Sequence, residues 1–393
     1  NRLMKKRFIY AIALVIGVAM QMSLASCDDD KDKSSVRSTS ASTAADSLDY
    51  AADNAEDWGK YMQAVATYLH ADATELYNDW NVSYDGGASY ASNFKSAGQA
   101  GASSFAAVED ATQQIIDGCI DIANEVGEAK IGDPVALFAA GKTTDALYAV
   151  ESWYSWHSRV DYSNNIKSIQ NAFYGTTDGT KSEKSLINAI AAVDAATAAD
   201  VDAKITAAIN AILAIPQPFR NNINSNEAIA AQDACAALKD ALEKIDISAI
   251  PEATLQQVNV NYVDNVVLPT YKELAEANAA LLAGVNAFVA AQSNSKFEAL
   301  AEPWLAAREP WEMSEAFLFG PVADKGLDPN MDSWPLSQSD IVAIIKNGDF
   351  SALGWTGEYD EASSAIEAAQ AIRGFHTLEF LIFKDGKART VKD

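Results

Sequence analysis

The strongest constraint in this chain is a helical period laid over an alanine-rich background. Among 393 residues 73 are alanine, the best of the helix formers. Trp58, Met62, Val65, Leu69, Ala73, Leu76 and Trp80 recur at alternating three- and four-residue steps, the stripe of a long amphipathic helix. Tyr271, Leu274, Asn278, Leu281, Val285 and Phe288 repeat that spacing, with one Asn inside the stripe. Pro269 falls near the start of this second helix, where a missing N–H costs little. Val201, Ile205, Ala208 and Ile212 predict a third helix, stopped by Pro216 and Pro218, with Ile229, Ala236 and Ile245 on its return partner. No comparable strand alternation recurs, so the expected fold is all-α, built from antiparallel bundles.

Turn signals punctuate the helices at Asp85-Gly86-Gly87 and at Tyr174–Gly179, and Gly320–Leu336 reads as a long irregular segment. The stretch 248–264 is polar, carries Pro251 and reads as a linker, placing a domain boundary between residues 48–250 and 251–393. The first 27 residues differ from the rest. Met4-Lys5-Lys6-Arg7 precede an apolar run from Phe8 to Met20, then Leu24-Ala25-Ser26-Cys27. A basic head, a short apolar run and small residues describe a secretion signal over residues 1–26. Leu-Ala-Ser-Cys resembles the bacterial lipobox, which implies acylation of Cys27 and a lipid anchor. Residues 27–47 are too polar to bury a core and read as a flexible tether. The expected location is the outer membrane, at the cell surface or the periplasmic face.

The formal charge is 29 − 54 = −25, and −29 once Arg2, Lys5, Lys6 and Arg7 of the leader are set aside. A balance this acidic excludes a nucleic-acid binder, which needs a basic face to displace phosphate counter-ions, and leaves room for cations. Beyond Cys27 the cysteines are Cys119 and Cys235. A disulfide between them fits an oxidising compartment, while their Ala and Ile neighbours favour buried free thiols.

Among the described motifs of catalysis, HExxH, CxxC, a Gly-rich phosphate loop and GxSxG are all absent from the sequence. Three other elements concentrate polar chemistry. In Gly374-Phe375-His376-Thr377-Leu378-Glu379 the imidazole and the carboxylate are three apart and share a helix face. They suit a divalent metal, or the Glu orients the ring. On an expected helix Phe297–Phe319, Trp304, Arg308, Trp311 and Glu315 share a face, Glu312 stands one turn after Arg308, and Pro310 predicts a kink. Third, Trp153 to Asn165 gathers aromatics with His157, Ser158, Arg159 and Asp161. His70 reads as a helix-surface histidine.

Together these elements resemble the imelysin-like family. GFHTLEF is similar to its GxHxxE signature, VLPTYKEL, WLAAREPWEMSEAFLFGP and DSWPLS to the blocks before it, and Ile215-Pro216-Gln217-Pro218-Phe219 to its IPxPF-type helix end. His157–Asn165 resembles its HS-containing segment more loosely, with Asn164-Asn165-Ile166 where many relatives place a further His. The usual order of the two halves is exchanged here, as in a circular permutation. The resemblance implies two four-helix bundles with a site between them, and a role in iron uptake or homeostasis. The expected site is Arg308, Trp311, Glu312, Glu315, Gly374, His376 and Glu379, closed by His157, Ser158 and Asp161. Glu312, Glu315, His376 and Glu379 are the expected ligands of iron or zinc. The occupant expected is a metal ion, an iron chelate or a partner protein of an iron-uptake system. The alternative is a zinc metallopeptidase, which needs three ligands and a base; a purely adhesive protein would leave the polar cluster without a task.

Overall fold

The computed structural model describes residues 48–391. The leader, Cys27 and the tether lie outside the described residues. The principal helices are α1 (Ala55–Asn81), α2 (Val108–Asn124), α3 (Ser158–Tyr174), α4 (Ala195–Ala214), α5 (Asn226–Leu242), α6 (Glu252–Tyr262), α7 (Leu268–Ala290), α8 (Asn294–Glu312), α9 (Leu327–Asp332), α10 (Gln338–Asn347) and α11 (Phe375–Ile382). Two-residue strands β1 (Phe383–Lys384) and β2 (Lys387–Ala388) form a small antiparallel hairpin. The all-α expectation holds. Among the described residues no helix is long and apolar enough to cross a membrane.

Every residue of the first stripe, from Trp58 to Trp80, is buried on α1. The second stripe is buried on α7, which packs against α1 and α8. Asn278 is tolerated in that stripe because its amide donates back to the Leu274 carbonyl at 2.9 Å. The stripe on α4 is buried as expected, but that of its partner α5 is not. Ile229 is 44% exposed, and the buried line runs through Ala228, Ala231, Cys235 and Leu238. A helix this rich in Ala has little contrast between its faces, and its small residues admit a close neighbour. A Cβ added to Gly127 would lie 3.0 Å from the Cys235 Cβ. Cys119 and Cys235 are both free and buried.

The segment 248–264 is not a linker. Its residues Glu252–Tyr262 form α6, which runs through the π-helical turn Val263–Val267 into α7. Polar residues made it look soluble, yet Asn259 is fully buried, donating to the Val108 carbonyl at 3.1 Å and accepting from Thr112 at 2.8 Å. The wide turn lies just ahead of Pro269 and takes up the backbone disturbance of the missing N–H. The described residues, 48–391, form one compact unit.

The C-terminal tail after α11 is polar, yet the hairpin folds back and Arg389 is 5% exposed. Its guanidinium lies over Trp58 and Phe380 at 5.1 and 4.8 Å from their ring centres. Lys384 and Arg389 pair with Asp49 at 2.8 and 2.9 Å, so the C-terminal hairpin rests beside the chain leading into α1.

Candidate functional site

Three local features aim polar side chains into one buried centre. The first is the start of α11. Gly374 has φ +88°, and a Cβ there would lie 2.4 Å from the Met331 carbonyl oxygen. Only glycine allows that approach, which brings His376 against the end of α9. The second is α8, expected to reach Phe319. It ends at Glu312, and Glu315 belongs to a separate 3-10 turn, Glu315–Phe317. Pro303 and Pro310 both lie inside α8. The third is the π-helical segment Glu125–Gly132 that extends α2. Its i→i+5 bonding brings residues five apart toward one face, and Lys130 lies 3.8 Å from Glu125 on the inner side.

Asp332 is the hub. It accepts from the Trp311 indole at 2.7 Å, lies 3.1 Å from His376 Nε2, and pairs with Arg308. Arg308 is 0% exposed and also pairs with Glu312; its Nη2 stands 3.3 Å from His376 Nε2 and its Nε 3.6 Å from Asp161. Phe375 supports the guanidinium at 5.3 Å. His376 Nδ1 meets Glu379 Oε2 at 2.9 Å, while Glu379 Oε1 accepts from the Ser155 N–H and hydroxyl at 2.8 and 2.7 Å. Trp334 packs edge-on against the imidazole. His157 pairs with Asp161 at 2.7 Å, and Asp161 also accepts from Ser152. Ser158 donates to the Glu151 carbonyl. Lys130, 5% exposed, reaches Glu151 at 3.1 Å and Glu315 at 3.4 Å.

The charges perturb one another strongly. Burial works against the His376 imidazolium, as does Arg308, but hydrogen bonds to Asp332 and Glu379 prevail and lift its pKa to about 9. Burial likewise opposes the Lys130 and Arg308 charges, and the surrounding carboxylates outweigh it and raise both. Burial raises Glu312 to about 8, against Arg308, and pushes Glu315 well above the usual range, against Lys130. Asp332 moves the other way: burial is overcome by Arg308 and His376, so its carboxyl is held below the usual range. Half-buried Asp328, one turn before Asp332, is raised to about 8 by burial and the Asp332 charge.

The structure therefore brings together all the expected residues, with Arg308 and Asp332 as the links between His376 and Glu312. Glu379 has one oxygen on His376 and the other on Ser155. Sequence reasoning missed Asp332, Glu151, Lys130 and Asn165. Asp332 stands in the DSWPLS block, Glu151 immediately before the aromatic segment, and Lys130 is the single basic residue between Lys95 and Lys142. The latter two carry no local motif. Asn165 is buried and donates to Glu312. Two groups, Glu151–Asp332–His376 and Glu312–Glu315–Asp332, each bring three ligand atoms within 4.8 Å of one another. His70 lies outside the centre, half-buried on α1 beside Thr74.

An all-helical protein with a buried centre of acids, an arginine and the histidine of GxHxxE defines the class. The chain belongs to the imelysin family, whose model, described as Imelysin, matches residues 30–245 and 267–393. The crystal structure of an imelysin peptidase from Bacteroides ovatus is similar with a TM-score of 0.85 and 50% identity, covering 88% of this chain and all of that one. Iron-regulated protein A of Synechococcus elongatus is 30% identical over 123 residues, 31% of this chain and 30% of that protein's length. A putative iron-regulated protein A precursor from Parabacteroides distasonis is 31% identical over 48% of this chain and 52% of that one, with a TM-score of 0.39.

Proposed function

We propose that this chain is a non-catalytic, cation-binding protein of iron uptake or iron homeostasis, anchored to the outer membrane through acylated Cys27. One observation carries the reading. Around Asp332, the buried carboxylates of Glu151, Asp161, Glu312, Glu315 and Glu379 outnumber the two permanent cations, Lys130 and Arg308. Crowding of these acids shows in the raised carboxyls of Glu312 and Glu315 and the raised imidazole of His376, and a divalent ion would take the place of the protons they hold. Carboxylate and imidazole donors suit iron, zinc or manganese. Asn165, fully buried against Glu312, also leaves Oδ1 without a hydrogen-bond partner. Glu151 with Asp332 and His376, and Glu315 with Glu312 and Asp332, are the two sets of residues placed to hold an ion. The name of the cyanobacterial relative supports the connection to iron.

The peptidase alternative draws on the name of the Bacteroides ovatus relative and on the HxxE helix. Its difficulty is the ligand set. Hydrolytic zinc sites take at least two His or Cys among their three protein ligands, whereas His376 is the single histidine in the ligand groups of this centre among the described residues. Incubation with a mixed peptide library and zinc is expected to give no cleavage above that of His376→Ala. We also infer that the halves are exchanged relative to most relatives, a reading supported by the meeting of the C-terminal hairpin with Asp49.

The deciding experiment is elemental analysis of protein purified without chelator or affinity-tag metal, followed by anaerobic Fe²⁺ titration. Binding weakened in Glu151→Gln and Glu315→Gln is the expected result. No retained metal and no heat of binding in the folded parent would overturn the proposal. For the anchor, labelled palmitate is expected to enter the parent and not Cys27→Ser.

A further inference from the structure

We propose, resting on the cation-binding reading above, that Lys130 is the resident counter-ion of the centre and that an incoming divalent cation displaces its ammonium from between Glu151 and Glu315. The ammonium is ringed by three carboxylates, at 3.1 Å from Glu151, 3.4 Å from Glu315 and 3.8 Å from Glu125. Such an all-oxygen surround is what hard divalent cations take up. A lysine reaches it only because the chain switches to π-helical bonding at Glu125–Gly132, a local irregularity that recurs at functional sites.

The two permanent cations of the centre differ in what holds them. Arg308 is fully buried, joined to Asp332 and Glu312, and supported by Phe375 at 5.3 Å. Its planar fork is fixed by those partners. Lys130 is a point charge on a flexible stem, with looser contacts and an exit. The side chain of its third partner, Glu125, is 49% exposed. The ammonium can swing outward to Glu125 and keep a carboxylate while Glu151 and Glu315 turn to a new ion. The unpartnered Oδ1 of buried Asn165 is independent of the acids and marks unmet bonding capacity in the same centre.

The test is calorimetric titration of MnCl₂ into the full chain, compared with Lys130→Met and Lys130→Arg, with circular dichroism to confirm folding. Removing one positive charge from about 4 Å away is expected to tighten Mn²⁺ binding at least ~10-fold in Lys130→Met. Lys130→Arg should bind no more tightly than the parent. A second measurement uses the parent alone: acetic anhydride labelling read by peptide mapping. Lys130 is expected to be protected without Mn²⁺ and to react several-fold faster at saturation. Mn²⁺ binding to the parent, with no tightening in a folded Lys130→Met or with Lys130 still protected at saturation, would overturn the displacement. No Mn²⁺ binding by the parent or either variant would instead overturn the cation-binding reading on which it rests.

Discussion

Helices α3 and α4 pack against each other, yet they are specified in opposite ways. α4 buries Ala198, Val201, Ile205, Ala208 and Ile212, one apolar line on a 20-residue helix. α3 buries 13 of its 17 residues, including Ser158, Asp161, Ser163, Asn164, Asn165, Ser168 and Asn171. A helix with one buried face is stabilised by any apolar partner of matching shape. A helix buried nearly all round with polar groups needs a named partner for each. Asn165 finds Glu312, and Ser168 receives the Ala316 N–H at 3.0 Å. Simple periodicity thus supplies the scaffold, and polar residues paired over long distances supply the site.

Breaking that dependence should produce the largest effect. Arg308→Met leaves Asp332, Glu312 and Asp161 without their shared cation. Removing one side of a buried ion pair costs about 3–5 kcal/mol, and urea unfolding should show a loss of that size. A loss below ~1 kcal/mol would mean that the centre tolerates its uncompensated acids.

Alkaline pH should weaken the same centre by a somewhat smaller amount. The folded pKa of His376, about 9, is above its unfolded value near 6.5. Its stabilising contribution is therefore complete below the unfolded pKa and is lost as pH rises through the folded one. The loss amounts to roughly 3 kcal/mol. Glu312, raised to about 8, contributes with the same sign, because ionising it in the folded state is unfavourable. The melting temperature should fall from about pH 4.3, where unfolded glutamate ionises, to about pH 9, and the part of the fall above about pH 6.5 should be smaller in His376→Gln. A flat profile would sever the centre from global stability.

Legibility follows the same division. The stripes on α1, α4 and α7 could be read because each buries a single apolar face. That on α5 could not, since alanine occupies both sides and Ile229 points outward. Residues 252–262 looked like a linker because the partners that justify burying Asn259, Thr112 and Val108, lie far away in sequence. In the site, Arg308, Glu312, His376, Glu379, His157 and Asp161 stand in local polar clusters that catch the eye. Lys130 and Glu151 are isolated in sequence, and only the π-helical turn and the Ser158 contact bring them in.

Gly374 links the scaffold to the polar centre and should give an intermediate effect. A Cβ at this position meets the Met331 carbonyl oxygen at 2.4 Å and imposes a left-handed backbone on a residue with a side chain. Gly374→Ala should cost about 1–3 kcal/mol and move His376 away from Asp332. Histidine titration by NMR is the sharper check, because that displacement lowers the His376 pKa toward the ordinary range. An unchanged pKa would show that α11 is aligned by the rest of its packing rather than by this glycine.

The smallest effect tests the claim that α4 depends mainly on its own sequence. Ala207 is exposed on that helix, one residue before the buried Ala208. Ala207→Gly removes no buried contact and adds backbone freedom to the unfolded chain. If local helix preference operates there, the change should cost about 1 kcal/mol, independent of pH because no titrating group is involved. The natural comparison is half-buried Gln170 on α3, whose surroundings are held by polar partners; its neighbours Ile169 and Asn171 are buried. Gln170→Gly carries a similar intrinsic penalty, but α3 is fixed on both sides by contacts that span the chain. Hydrogen exchange separates the two cases. Ala207→Gly should speed exchange over a turn or more of α4, whereas Gln170→Gly should leave most of α3 protected. Equal local opening in both helices would mean that the polar partners of α3 confer no rigidity beyond that of an ordinary amphipathic helix.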